Sequence, residues 1–268
     1  MGDLIYRLLL FLNDSREETL NYTIALTMIR NIKEIPNMTI NKLADMCYTS
    51  PAAISRFCRK LGYSSLSEFK KALSISINTN FDNSFSKPKG FNTNRSREEI
   101  LDLMHDEICN ELTMTKNELD LKLIDRVIDL IYRSDHICIF GTLFSQLMCQ
   151  HLQTNFARLG KLINIATDIQ AQEKLASSLT PTSLAILISP TGRFIVYHER
   201  LWDKLKASDC KIVTITENKE NDYRDDSDYI IYLAPSEYNN QYSPENQHSL
   251  MMVVEYLFVR YADLYNHY

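Results

Sequence analysis

The sequence predicts two domains of different class. The first is an all-α N-terminal helix-turn-helix domain, and the second an α/β C-terminal domain built on a five-stranded parallel sheet. Three observations carry this. Through residues 1–77, apolar residues recur at helical spacing. Residues 78–96 (NTNFDNSFSKPKGFNTNRS) then read as a linker, rich in Asn and Ser with Pro and Gly and no apolar period. Over residues 97–268, short continuous apolar runs alternate with helical segments, the pattern of strands covered on both faces. A chain of 268 residues also suits about two domains, at roughly 150 residues each.

In the first domain, Ile5, Leu8, Leu9 and Leu12 mark one helix, and Leu20, Ile24, Leu26 and Ile29 a second that ends near Pro36. Thr39 opens a short helix carrying Ile40, Leu43, Ala44 and Cys47. Ser50-Pro51 opens the next, which runs to Leu61-Gly62, and Ser67 caps a last one through Leu73. Proline at the first helical position and glycine just past the end are the expected start and stop signals. The second domain begins with helices over 98–119 and 121–133. Strands are expected at 136–140, 162–165, 183–188, 211–215 and 229–233, and a final amphipathic helix at 247–265. Alternation of parallel strands with helices implies a doubly wound sheet.

Composition narrows the function classes. Hydrophobic residues at 45% and charged residues at 24% exclude a disordered or collagen-like chain. Apolar runs such as 8–12 and 184–188 reach five residues, where a membrane span needs about twenty. Asp3 beside so short an apolar core does not make a secretory signal, so a cytoplasmic protein with no membrane partner is expected. The six cysteines form no C-x-x-C pair and read as reduced structural thiols. The net charge of −5 divides unevenly: +3 over residues 1–75, +2 over 76–95 and −10 over 96–268. A basic front on an acidic rear points to an anionic partner for the front alone.

Two short helices joined by the tight turn Cys47-Tyr48-Thr49 have the helix-turn-helix layout. On the second helix, Ile54, Phe57, Cys58 and Leu61 form an inward stripe, and Ala52, Ser55, Arg56, Arg59 and Lys60 lie opposite. Double-stranded DNA is the expected partner. Small residues let the helix end approach base edges, Arg56 has the reach and fork for a guanine, and Arg59 and Lys60 suit phosphates. Ser50 caps the helix beside free N–H groups that favour a phosphate. The plainer alternative is an amphipathic surface helix with three solvated cations.

The run TINKLADMCYTSPAAISRFCRKLGYSSLSEFKKAL, residues 39–73, resembles the helix-turn-helix of the RpiR family of bacterial transcriptional regulators. The resemblance implies control of sugar or amino-sugar metabolism and a homodimer or homotetramer on a palindromic operator. Residues 121–265 are similar throughout to that family's second part, a SIS (sugar isomerase) domain. The matching stretches are ICIFGT (137–142), ARLGK (157–161), LTPTSLAILIS (179–189) and KIVTITEN (211–218).

In an open parallel sheet, ligands sit at the carboxyl ends of the strands. Two strand-to-helix turns there, 141–145 and 189–192, offer hydroxyls and N–H groups to an anion. A phosphosugar-type effector held by Thr142, Ser145, Ser189, Thr191 and Arg193 is one reading. The chain also departs from the family pattern. Leu143 and Phe144 replace a second glycine and a serine, while Pro190 and Phe194 remove an N–H and a hydroxyl. A less polar ligand, or a domain that only dimerises, therefore stays open, with Arg193 as a compensating cation. No enzyme activity, cofactor or metal is expected. The histidines lack metal-ligand spacing, and no G-x-S-x-G or P-loop is present. A SIS-type isomerase or lyase is the alternative, with Glu237 and Glu245 as the acid/base candidates.

Overall fold

A computed structural model describes residues 4–14, 19–83, 96–192, 194, 198–219, 225–234 and 247–265. The chain divides into two compact units, Met1–Ser86 and Lys87–Tyr268.

The first unit is helical, as expected. It comprises α1 (Leu4–Asp14), α2 (Leu20–Arg30), a 3-10 turn (Ile35–Asn37), α3 (Ile40–Met46), α4 (Pro51–Lys60) and α5 (Leu66–Asn83). Hydroxyl caps start three of them: Thr19, Thr39 and Ser50 accept the N–H groups of Tyr22, Lys42 and Ala53. Between α3 and α4 the chain reverses at Tyr48, a non-glycine residue at φ +49° whose side chain is 93% exposed. Leu8, Ile24, Met28, Leu43, Ile54, Phe57 and Phe69 form one buried core. Phe57 meets Phe11 edge-on at 5.4 Å. Helix α5 starts earlier and runs further than the sequence suggested: the Ser65 hydroxyl, rather than Ser67, accepts the Glu68 N–H at its start, and the helix takes in residues 78–83 of the expected linker. No proline or glycine interrupts that stretch before Pro88, so nothing in it stops a helix.

The second unit begins with α6 (Arg97–Glu118) and α7 (Leu121–Arg133). A reciprocal capping box between Ser96 and Glu99 starts α6. There follow β1 (Ile137–Phe140), α8 (Phe144–Arg158), α9 (Ile169–Ala176), β2 (Leu184–Ile188), α10 (Glu199–Ala207), β3 (Lys211–Thr216), β4 (Tyr229–Tyr232) and α11 (Gln247–Tyr265). The strands pair in parallel in the order β1-β2-β3-β4. One sheet face packs Ile137, Ile139, Ile186 and Val213 against α7, α8 and α11; the other packs Phe140, Ala185 and Leu187 against Leu201, Trp202 and Leu205 of α10.

The sheet has four strands among the described residues, not the five the sequence predicted. The missing one is 162–165. Only Asn164 pairs with β1, through its N–H to the Ile137 carbonyl (2.8 Å) and its carbonyl from the Ile139 N–H (2.9 Å). Leu162 is 66% exposed, Ile163 is buried, and Ile165 packs only partly buried against the core. An apolar run at a sheet edge with one fully buried residue makes a bridge rather than a strand. That bridge still fixes the topology. From β1 the chain steps outward to Asn164, then returns past β1 to form β2 on its other side. The direction of winding therefore reverses at β1 and β2, whose carboxyl ends frame the crevice where ligands bind in such sheets.

Helix α6 is fastened to α11 by a buried carboxylate. Glu111 accepts the Ser249 N–H at 2.8 Å and lies 3.2 Å from His248 Nδ1. One turn on, the Thr115 hydroxyl donates to Ser249 Oγ at 2.7 Å.

Candidate functional site

In the first unit, Ala53, Ile54, Phe57 and Cys58 of α4 face the core. Ser50, Ala52, Arg56, Arg59 and Lys60 are exposed and Ser55 is half-buried, so the expected face is brought together on one side. Two of its hydroxyls are committed locally. Ser50 Oγ accepts the Ala53 N–H at 3.3 Å, and Ser55 Oγ donates to the Pro51 carbonyl at 3.1 Å. Lys60 departs from the outward set: its ammonium lies 5.0 Å from the centre of the Phe11 ring. Arg56 and Lys60 also line a cleft of about 300 Å³ with Thr19, Leu20, Asn21 and Ala53. Sequence reading missed the start of α2 as part of this surface, because its residues lie thirty or more positions upstream.

In the second unit, the two expected turns stand at the carboxyl ends of β1 and β2. Thr142–Ser145 forms a tight turn, closed by the Ser145 N–H donating to the Thr142 carbonyl at 3.1 Å. Leu143 sits at φ +56° and ψ −124°, the first central position of a type II′ turn. That conformation suits glycine, so Leu143 occupies a glycine's backbone at a cost. Its neighbour Gly141 is required for another reason. A Cβ there would lie 2.9 Å from Ser145 Cβ and 3.1 Å from the Ser145 carbonyl carbon. The turn opens α8, and the N–H groups of Leu143 and Phe144 have no partner among the described residues. Thr142 is half-buried and Ser145 buried.

The second turn is closed on itself. Ser189 Oγ accepts the Phe194 N–H at 3.2 Å, and the Gly192 N–H donates to the Ser189 carbonyl at 3.0 Å. The Pro190 carbonyl accepts both the Thr216 hydroxyl (3.1 Å) and the Glu217 N–H (2.9 Å). Ser189 is thus buried and engaged within its own loop, whereas Thr191 is half-buried. Arg193, and the alternative candidates Glu237 and Glu245, lie outside the described residues.

Sequence reasoning overlooked a buried pair beside the first turn. Gln172 of α9 donates through Nε2 to the Gly141 carbonyl (2.8 Å) and to Gln146 Oε1 (3.0 Å). Glutamines on helices ordinarily face water, and nothing in the spacing set these two apart.

Other chemistry is quieter. His136 lies 3.0 Å from Ser183 Oγ, and His151 lies 2.6 Å from Glu255. No group of three or more His, Cys, Asp or Glu among the described residues is placed to hold a metal ion. The six cysteines are free thiols, five of them buried. Burial pushes the Cys58 thiol up to about 11 and Cys138 up to about 12, which makes them poor nucleophiles. Tyr261 packs against Phe156 and Tyr265 against Tyr132 within the same unit. No helix among the described residues is long and apolar enough to cross a membrane.

Comparison with known proteins bears on both units. Residues 15–80 match the family model described as a helix-turn-helix domain of the rpiR family, and residues 130–260 match the SIS domain model. A Haemophilus influenzae protein named as an uncharacterized HTH-type transcriptional regulator is 26% identical over 63% of this chain and 59% of its own length. The matched stretch thus spans less than two thirds of that relative. A Clostridium perfringens protein with the same description is 26% identical over 79% of this chain and 76% of its own length. Among solved structures, Vibrio vulnificus NanR, whose structure is described as complexed with ManNAc-6P, has a TM-score of 0.56 at 20% identity. That likeness covers 98% of this chain and 92% of NanR. With the two family models on one chain in this order, the protein belongs to the RpiR family of helix-turn-helix transcriptional regulators bearing a SIS domain.

Proposed function

We propose that the protein binds operator DNA through α4 and that a phosphosugar-type effector, held at the carboxyl ends of β1 and β2, controls that binding in sugar or amino-sugar metabolism. The observation that carries the first half is the exposed face of α4, where Ala52, Arg56 and Arg59 stand clear of the core. In this reading Arg56 reads a guanine edge, while Arg59, Lys60 and the capped helix start at Ser50 hold phosphates. Ala52 and Ser55 keep the contact close. The protein works as a homodimer or homotetramer, placing two such helices in major grooves about 34 Å apart. The effector acts by binding one arrangement of the subunits more tightly than the other.

The second half is supported by the switch point at β1 and β2, by the unpaired N–H groups that open α8, and by the ligand named for NanR. Thr142, Ser145, Ser189, Thr191 and Arg193 are the proposed contacts. Because Ser189 already serves its own loop, the first turn carries more of the binding in this proposal. Both named relatives are regulators, which favours a sensing over a catalytic role. The test is selection of bound sequences from random duplexes by the full-length protein, repeated with hexose 6-phosphates added. Enrichment of a palindrome whose recovery changes with one of the sugars is expected. No enriched sequence would overturn the DNA reading, and turnover of a sugar phosphate by the purified protein would overturn the sensing reading.

A further inference from the structure

Among the described residues, two polar atoms lie buried without a hydrogen-bond partner at the carboxyl end of β1. Gln146 and Gln172 are 2% and 1% exposed, and their amides meet beside the Gly141 carbonyl. Both hydrogens of Gln172 Nε2 are used, one on Gly141 and one on Gln146 Oε1. That leaves Gln146 Nε2, a donor, and Gln172 Oε1, an acceptor, with no hydrogen-bond partner among the described residues. Burying such a group unsatisfied costs about 1–3 kcal/mol. Two glutamines set against each other with one hand of each free therefore call for an explanation. Gln172 serves the Gly141 carbonyl, but packing does not explain Gln146, where a methionine of similar length would fill the same space without an orphaned donor.

The free atoms are of opposite kind. A group that both donates and accepts answers them together, and a hydroxyl is the smallest that does. The pair's position says where the hydroxyl comes from. Gln146 lies in the first turn of α8 and Gln172 is tied to Gly141, the residue between β1 and the Leu143 turn. Both amides thus adjoin the turn whose N–H groups suit an anion. The residues of that turn, Thr142, Leu143 and Phe144, are each only half-buried, and Leu143 is held in a backbone conformation that costs energy. A turn strained in this way is the element that can yield when a ligand enters.

We infer that Gln146 and Gln172 form a hydroxyl-recognising subsite, which takes one hydroxyl of a sugar whose phosphate is held by the neighbouring turn. The inference rests on the effector reading above and adds to it the part of the ligand that distinguishes a sugar phosphate from phosphate alone. The same chemistry would suit a resident water, and the two sources separate experimentally.

Binding of ManNAc-6P, glucose 6-phosphate and inorganic phosphate to the full-length protein is measured by calorimetry for wild type, Gln146→Met and Gln172→Met. The expected result has three parts. The variants bind inorganic phosphate as wild type does. They lose about tenfold in affinity for the preferred sugar phosphate. Without ligand Gln146→Met melts close to wild type, because it removes an unsatisfied donor while freeing one hydrogen of Gln172, whereas Gln172→Met melts lower, because it takes the donor from the Gly141 carbonyl and from Gln146 Oε1. Unchanged sugar-phosphate affinity would overturn the inference and leave a resident water as the pair's occupant. An equal loss for sugar phosphate and phosphate would overturn it as a distortion of the turn, as would a markedly lower melting temperature of Gln146→Met. If wild type binds none of the three, the effector reading itself fails and takes this subsite with it.

Discussion

Lys60 carries its ammonium 5.0 Å from the centre of the Phe11 ring, and Phe11 in turn meets Phe57 edge-on. The last cation of α4 is therefore tied to α1 and the core beneath it. Arg56 and Arg59 make no ion pair among the described residues. Three residues that look equivalent in sequence thus differ in how much of their energy is spent inside the protein.

Arg59→Ala is expected to lower the slope of log affinity against log salt by about 1, with the melting temperature unchanged. Lys60→Ala is expected to lower the slope similarly and also to cost roughly 0.5–1 kcal/mol of stability through the lost ring contact. Salt-titrated binding and thermal melts on the same preparations separate the two. Equal melting of the variants would mean the Phe11 contact carries no weight.

Leu143→Gly is expected to stabilise the second unit by about 1 kcal/mol. Relief of a strained backbone is worth about 1–3 kcal/mol, against a loss of about 0.5–1 kcal/mol from the greater freedom of unfolded glycine. Gly141→Ala should do the opposite, because its Cβ would meet Ser145 backbone at 3.1 Å. Chemical denaturation checks both, and a destabilised Leu143→Gly would show that the leucine side chain outweighs its backbone.

The buried thiols predict a loss of stability in alkali. Burial raises Cys138 from 9.0 to about 12, and raises Cys149 and Cys210 as well. A thiol raised on folding favours the native state fully below pH 9, and its contribution fades as pH climbs through the folded value. Stability of the second unit should therefore fall between pH 9 and about 12, and less steeply in Cys138→Ala. Under native conditions at neutral pH, Ellman's reagent should label the exposed Cys109 quickly and the others only after unfolding.

Glu111→Leu should cost about 1–3 kcal/mol, since it leaves the buried Ser249 N–H without its acceptor. Glu111→Gln keeps an acceptor oxygen and should cost less. Hydrogen exchange at Ser249 reads the difference directly: protection should persist with glutamine and vanish with leucine. Equal protection in both would assign the helix pairing to apolar packing alone.

Much of this architecture was legible beforehand because its signals are local. Thr39, Ser50, Ser96 and Asp120 cap the helices they precede, and the runs 184–188 and 211–215 are too continuously apolar for anything but a covered strand. The run at 162–165 misled because apolar content does not reveal whether an edge position has a covering layer; Leu162 has none. The extent of α5 misled for a related reason, since Asn and Thr lower helix propensity without ending a helix. At the candidate sites, the face of α4 could be drawn from spacing alone. The glutamine pair, Glu111 and the contribution of α2 could not, because each joins residues distant in the chain through side chains of ordinary surface type.

The clamp at Glu111 gives α6 a fulcrum. From Arg97 to that carboxylate the helix runs about 21 Å at about 1.5 Å per residue, and the segment toward the N-terminal unit departs from its far end. A pivot of about 5° at the clamp would sweep Arg97 through about 2 Å. The first turn of helix α11 grips the clamp, so a slight shift of that helix would be magnified at Arg97.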